Sequence, residues 1–430
     1  MKKRFEKFIE TLKDGTTKTV EYYGDKDIVN LNEDYVSDDE LDIEDGKAIV
    51  TALENNTTVT SICLGDTRMG PEGGELIAGA LKNNNTLKLL DLPNNDLGDE
   101  GAAGIADKLN WYNRLRSLGL GYNGIGCEGA EKIAEALRSN RNLTSINLEG
   151  NRIGPEGVEA IMNSLRNNHN LTSIDLARNR IGDEGVKKVA ATLKCNSYIT
   201  SINLSANHIN KAGIEAIAEM LEENTTLTSI ALDKNAIDDE DVRSIAAALE
   251  RNKDLSSIGL SSNNIGLDGA KALGILLINN KVITSIDLSG NDIGSEGAKV
   301  IAIGLMRNKA VKTLNLQGNG IHKEGVKSIA EMLETNKTLR SLDFSQNPIE
   351  GGGAVDLASA LRINTTLTSI DLSGTNIGDQ DAVAIANLLR VNKTLTSIDL
   401  SNCKISNWGA GIPLVLKESL RNPKVMFYMS

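Results

Sequence analysis

An apolar motif of the form Leu-x-x-Ile-x-Leu returns every 28 residues along this chain, and no other feature limits its fold as strongly. The registers begin at Val59, Leu87, Leu115, Leu143, Leu171, Ile199, Leu227, Leu255, Ile283, Val311, Leu339, Leu367 and Leu395, without one insertion or deletion. A fixed period of this length marks a stacked array, in which each unit buries its apolar face only against its neighbours. The 430 residues are therefore not expected to form the two or three globules usual for that length.

The segment LTSINLEGNRIGPEGVEAIMNSLRNNHN, Leu143 to Asn170, shows what one unit does. Ile146 and Leu148 are two apart and share one strand face. Ile153 is a further inward residue, and Asn151 stands between at the ninth position of the unit. Asn recurs there at 95, 123, 151, 179, 207, 235, 263, 291, 319 and 347, while Thr67, Thr375 and Cys403 depart from it near the ends. A stacked amide at a tight turn can pair with backbone groups that would otherwise be buried unsatisfied. Val158, Ile161, Met162 and Leu165 then fall at helical spacing. The helix stops at another Asn (84, 140, 168, 196, 224 and onward), which is expected to be an exposed cap in the left-handed conformation.

Each unit thus reads as strand, loop, helix, loop, and the fold class is α/β. Parallel strands lie about 4.8 Å apart whereas packed helices need about 8–10 Å. The helices should splay outward, giving a horseshoe solenoid with a parallel β-sheet on the concave face and α-helices on the convex face. The expected organisation is an N-terminal cap with a degenerate first repeat over 1–58, thirteen repeats over 59–422 with the last irregular, and a C-terminal edge strand over 423–430. Phe5, Phe8, Ile9 and Leu12 form one helical face that would cap the first unit. A strand at 27–31, a degenerate-repeat helix at 45–53 and a final helix after Asn407 complete the expectation.

Composition narrows the function. The 3% aromatic content suits a core of repeated Leu, Ile and Ala. The net charge of −12 argues against nucleic acid, which requires a basic surface, and allows a basic protein partner. Cys63, Cys127, Cys195 and Cys403 form no CxxC pair, so neither a disulfide framework nor a zinc site is expected, and a reducing compartment follows. Asn-x-Thr/Ser triplets at Asn56, Asn84, Asn142, Asn170, Asn224, Asn336, Asn364 and Asn392 also fit a cytoplasmic protein better than a secreted one. The charged N-terminus is no secretory signal, and no apolar run reaches the roughly 18 residues of a membrane span.

The LTSIDLSGN-type strands, the ninth-position Asn and the Glu-Gly-x-x-x-Ile/Leu-Ala helices resemble the ribonuclease-inhibitor-like leucine-rich repeats over residues 59–422. That resemblance implies a protein bound along the concave face. Immune receptors of the family add a nucleotide-binding region that this chain lacks. The Ran GTPase activator is a related possibility, although its repeats are irregular and its tail acidic. Leucine-rich effectors of intracellular bacteria, delivered into a host cytosol, have a similarly even array.

No covalent chemistry is readable. His169, His208 and His322 occupy different positions of distant units, so no Ser-His-Asp or Cys-His set forms, and no phosphate loop ending in Gly-Lys-Ser/Thr is present. The acidic stretch Asp34–Asp45 lacks the central Gly and terminal Glu of a calcium loop. No enzyme activity, cofactor or metal is expected, and the reading is a monomeric protein-binding scaffold. Two surfaces are candidates. Around the second to fourth units, Lys88 and Arg116 share one position, Leu89 replaces Ser, Trp111 and Tyr112 replace a polar helix end, and Tyr122 follows Asn94 at the eighth position. Aromatic residues and Arg carry much interface energy, although Trp111 and Tyr112 could equally pack between helices. Near the other end Asp343, Asp371 and Asp399 stand on successive strands, as an acidic stripe for a basic partner or as a product of repeat duplication.

Overall fold

Three residues of each motif form a strand because Ile or Leu at the fourth position is buried while its flanking polar residues face out. The computed structural model describes residues 19–20, 22–23, 26–27, 43–81, 84–109, 114–349, 352–405 and 426–428. They divide between two compact units, Met1–Ile209 and Asn210–Ser430.

In the first unit β1 (Thr19–Val20), β4 (Ser61–Cys63), β5 (Leu89–Asp91), β6 (Ser117–Gly119), β7 (Ser145–Asn147), β8 (Ser173–Asp175) and β9 (Ser201–Asn203) form a parallel sheet in that order. β2 (Tyr22–Tyr23) and β3 (Lys26–Asp27) pair antiparallel. The helices are α1 (Ile43–Asn55), α2 (Gly70–Leu81), α3 (Gly98–Leu109), α4 (Cys127–Ser139), α5 (Gly154–Leu165) and α6 (Gly182–Leu193), each packed on the next. The second unit repeats the plan. Its strands are β10 (Ser229–Ala231), β11 (Ser257–Gly259), β12 (Ser285–Asp287), β13 (Thr313–Asn315), β14 (Ser341–Asp343), β15 (Ser369–Asp371), β16 (Ser397–Asp399) and β17 (Met426–Tyr428), again parallel and in chain order. Its helices are α7 (Lys211–Glu223), α8 (Asp239–Arg251), α9 (Leu267–Asn279), α10 (Gly294–Arg307), α11 (Lys323–Thr335), α12 (Gly353–Ile363) and α13 (Asp379–Val391). Each unit is therefore a leucine-rich-repeat solenoid stack with strands on one side and helices on the other. The Phe5–Leu12 segment, residues 28–31 and the helix expected after Asn407 lie outside the described residues.

The core lies between sheet and helices and is the same in every repeat. Leu143, Ile146, Leu148, Ile153, Val158, Ile161, Met162 and Leu165 are all fully buried. Two amide ladders close it at opposite turns. The ninth-position Asn ties its own repeat to the preceding one: Asn347 donates Nδ2 to the carbonyls of Leu316 (2.9 Å) and Phe344 (3.0 Å), while its Oδ1 accepts from the N–H groups of Asn319 and Ile321, both at 3.0 Å. At the departure Cys403, the thiol donates to the Leu372 carbonyl at 3.3 Å, the acceptor 31 residues earlier that an Asn would have used.

The helix-ending asparagines differ from expectation. They are neither left-handed nor exposed. Asn140, Asn224, Asn252, Asn280, Asn308, Asn336, Asn364 and Asn392 have φ between −63° and −74° with ψ near 130°, an extended conformation. Asn224 is only 4% exposed, and its Oδ1 accepts from the N–H groups of Thr226 and Leu227. Asn336 shows the full pattern: Nδ2 donates to the Leu305 carbonyl at 2.8 Å, and Oδ1 accepts from Thr338 and Leu339 at 2.8 Å each. The chain must turn back into the next strand here, and an extended Asn can span that turn while holding the previous repeat.

The left-handed residue sits at the eighth position instead. All thirteen repeats adopt it, from Asp66 to Asn402, with φ between 53° and 71°. The eighth N–H continues the inter-repeat ladder beyond the strand, as that of Tyr122 does to the Glu149 carbonyl at 2.7 Å. Glycine occupies it at 150, 290, 318 and 374, but Ala206 has φ 54° and a Cβ that disfavours it. Ala206→Gly is expected to stabilise the protein by about 1 kcal/mol, relief of strain outweighing the added freedom of the unfolded chain. A chemical denaturation midpoint at or below wild type would contradict this.

Candidate protein-binding surface

The strand face is the broad surface that the repeats leave open, and its fifth position sets its chemistry. In the first unit that column runs Cys63, Asp91, Gly119, Asn147, Asp175, Asn203, each in register with the next. In the second it runs Ala231, Gly259, Asp287, Asn315, Asp343, Asp371, Asp399, Tyr428. A carboxylate or amide here accepts a hydrogen bond from the N–H two residues on and so closes the turn out of the strand. Asp175 does this to Ala177 at 2.9 Å, Asn203 to Ser205 at 3.0 Å and Asn315 to Gln317 at 3.0 Å. Where Gly259 has no such group, Asp233 of the preceding repeat supplies it to Ser261 N–H at 2.7 Å, and a Cβ at Gly259 would crowd that carboxylate.

Asp343, Asp371 and Asp399 are brought together on adjacent strands. Each is half-buried and commits Oδ1 to its turn, to Ser345 (3.0 Å), Ser373 (2.8 Å) and Ser401 (2.8 Å) respectively. No described cation pairs with any of the three. Burial, and then the neighbouring Asp371 and Asp287 charges, push the Asp343 carboxyl above its ordinary value, while the Ser345 hydrogen bonds oppose them. Like charges at this spacing disfavour one another, so the stripe is relieved when a cation approaches.

In the first unit Lys88 and Arg116 are exposed neighbours at the strand entrances, the Arg116 N–H bonding the Lys88 carbonyl at 2.7 Å. The Arg116 guanidinium turns along the rim to the Asn142 carbonyl at 2.8 Å. Leu89 is half-buried, in register between Ser61 and Ser117. Tyr122 is 44% exposed at the left-handed turn. Its hydroxyl donates to Glu149 Oε1 at 2.6 Å, and the same oxygen lies 3.3 Å from Arg178 Nε. Partial burial, followed by the Glu149 hydrogen bond, raises the Tyr122 phenol. Trp111 and Tyr112 lie outside the described residues, so the candidate cluster reduces to Lys88, Leu89, Arg116 and Tyr122.

Twelve successive segments, the first at 83–106 and the last at 391–411, match the family model described as Leucine Rich repeat, and together they span more than half of the chain. The chain belongs to the leucine-rich repeat family. Among solved structures it is similar to an internalin (inlF) of Listeria monocytogenes, at 17% identity, covering 88% of this chain and 88% of that one, with a TM-score of 0.39. It is also similar to a chain of the yeast Rad7 and Elc1 complex, at 13% identity over 90% of this chain and 83% of that one, TM-score 0.49. A TLR13–ssRNA13 complex matches at 15% identity over 88% of this chain and 51% of that one, TM-score 0.43. No curated protein sequence matches the chain.

Leucine-rich repeats of this kind hide their polar network from a linear reading. Glu149 and Arg178 belong with Tyr122, yet they lie 27 and 56 residues away in sequence. The signal that could have found them is positional, since Tyr122 and Arg178 share the eighth position two repeats apart, with Glu149 at the seventh between them. Asp91 was likewise missed. It accepts from Cys63 Sγ at 3.6 Å, and a Cβ at Gly119 would overlap its carboxylate. Burial raises the Asp91 carboxyl above 3.8, against the opposing Cys63 hydrogen bond. Its protonation therefore contributes stability that is full below 3.8 and is lost as pH rises through the higher folded value. Asp91→Asn is expected to raise the thermal midpoint at neutral pH, with the gain over wild type disappearing in acid. A gain that persists unchanged in acid would refute the assignment.

Among the described residues no group of three or more His, Cys, Asp or Glu could hold a metal, and no helix is long and apolar enough to cross a membrane. The four cysteines are free, Cys63 buried and Cys195 exposed.

Proposed function

We propose that this leucine-rich-repeat chain is a non-enzymatic protein-interaction scaffold whose strand face binds a partner through a basic segment. The observation that carries the reading is the row Asp343, Asp371, Asp399. These are three carboxylates in consecutive register, each with Oδ1 held by its own turn and none paired with a described cation. A lysine- or arginine-bearing segment laid across the strands would relieve their mutual repulsion, and such complementarity steers association as well as selecting the partner. The regular 28-residue period with Asn at the ninth position supports the ribonuclease-inhibitor-like subtype, in which a broad strand face is the binding platform. Lys88, Leu89, Arg116 and Tyr122 offer a second contact region at the strand entrances and rim of the first unit, and Trp111 and Tyr112 extend it in sequence.

The test is a paired affinity capture from the native cell or host, using wild type and the D343N/D371N/D399N variant as baits. The reading requires a basic protein retained by wild type and lost from the variant. Equal recovery on both baits would reject the strand-face stripe as the binding site.

A further inference from the structure

A recess of about 430 Å³ opens in the first unit, on the edge where helices turn back into strands. Its lining includes Arg166, His169, Thr192, Cys195, Ser197 and Tyr198. It arises from two local departures in the repeat. The position four residues before the helix-ending Asn is apolar in most units, as at Ala80, Ala136 or Met220, but it is Ser164 and Thr192 in consecutive repeats. Ser164 Oγ donates to the Ile161 carbonyl at 2.7 Å, and a hydroxyl competing for helix carbonyls loosens the last turn. α5 stops at Leu165, and α6, where Thr192 makes no such bond, stops at Leu193; the chain continues with three-residue turns from Asn167 to Ser164 and from Cys195 to Thr192. In contrast, α4 runs on to Ser139.

The second departure concerns the residue after the helix-ending Asn. In four other repeats a cation there folds back on its own helix end, as Arg141 does to the Arg138 carbonyl at 2.9 Å and Lys337 to the Glu334 carbonyl at 3.1 Å. His169 instead stacks on Tyr198 of the next repeat, ring centroids 4.6 Å apart and 21° from parallel. The Arg166 guanidinium has no acidic partner among the described residues. Thr192 is only 4% exposed, yet its hydroxyl makes no hydrogen bond to any described residue. A buried hydroxyl without a partner is costly, and here it borders the recess.

Residues 138–142, 166–170 and 194–198 carry Arg138, Arg141, Arg166 and Lys194 and no Asp or Glu, in a chain of net charge −12. Asn168 binds the Leu137 carbonyl and Asn196 the Leu165 carbonyl, so these three corners form one continuous edge.

We propose that this recess is a docking site for an acidic peptide segment of a partner protein, seating a Glu or Asp side chain. Arg166 and the Thr192 hydroxyl donate to the carboxylate, and the His169–Tyr198 stack flanks the peptide. The proposal rests on the scaffold reading only for the source of the carboxylate. It uses none of the strand-face aspartates.

Cys195, exposed at the recess, supplies a local reporter, and buried Cys63 reports on folding. The probes are an acetylated, amidated hexaglutamate peptide and its hexaglutamine counterpart. The reading is the rate of Cys195 alkylation by iodoacetamide, resolved by peptide mass. Hexaglutamate is expected to slow Cys195 several-fold, hexaglutamine to leave it unchanged, and D343N/D371N/D399N to behave as wild type. Both Arg166→Gln and Thr192→Val should abolish the protection while Cys63 stays unreactive. Thr192→Val matters most, because it removes the hydroxyl without altering charge or volume much. Protection that survives Thr192→Val would reduce the effect to a general anion field and overturn the site. No protection of wild type, or equal protection by an oligonucleotide of matching charge, would overturn it as well.

Discussion

Asn347→Ala and Asn336→Ala, one from each amide ladder, are each expected to lower the unfolding free energy by about 3 kcal/mol, leaving several buried backbone groups unpaired. Asn347 is 1% exposed and accepts from two N–H groups of the preceding repeat while donating to its Leu316 carbonyl. Asn336 is 2% exposed, accepts from two N–H groups of the next strand entrance and donates to the Leu305 carbonyl. Their inventories are alike, so the losses should be alike. A helix-ending Asn that acted as a solvent-facing cap would cost a fraction of this, since exposed caps leave their groups to water. Urea titration of both variants decides between the two. A midpoint for Asn336→Ala close to wild type, with Asn347→Ala strongly shifted, would show that the helix-end ladder is peripheral.

The second large effect is kinetic. D343N/D371N/D399N should slow association with a basic partner by about tenfold at low salt and flatten the salt dependence of the association rate, because steering charges act mainly on encounter. The fold should survive, since Asn already serves the same turn at Asn147, Asn203 and Asn315 with comparable geometry. Removing the charge at Asp343, whose folded carboxyl lies above its ordinary value, should also favour the folded state at neutral pH. Association measured across a salt series would settle the matter, an unchanged rate with an intact fold being fatal to the stripe. Reciprocal measurement with Lys88→Ala and Arg116→Ala tells whether the rim of the first unit shares the load.

Much of this was open to reading along the chain, because a period of 28 residues converts sequence position into spatial position. The inward set Leu143, Ile146, Leu148 and Ile153 follows from spacing alone, and so does the placing of Asp343, Asp371 and Asp399 on neighbouring strands. Conformation was less legible. Asn tolerates a left-handed backbone, so the helix-ending asparagines invited that assignment, yet the left-handed turn falls at the eighth position on Tyr122, Ala206 and Lys234, residue types that give no hint of it. Tyr122 and Lys234 bond the next repeat there through the backbone N–H, which every residue type but Pro supplies, so side-chain type leaves no trace of the turn.

Sequence alone was enough for the repeat, its phase and the buried apolar set, because these depend on hydrophobic spacing that each unit states independently. Tertiary structure decided where the polar groups found partners, because those bonds join residues 26 to 31 apart whose identity says only that they can donate or accept. Asp343 reads as a charge in sequence and proves also to be a turn cap. Thr192 stands at a repeat position of varied residue type and proves to be a buried hydroxyl beside a recess, since only packed helices reveal that no described neighbour bonds it.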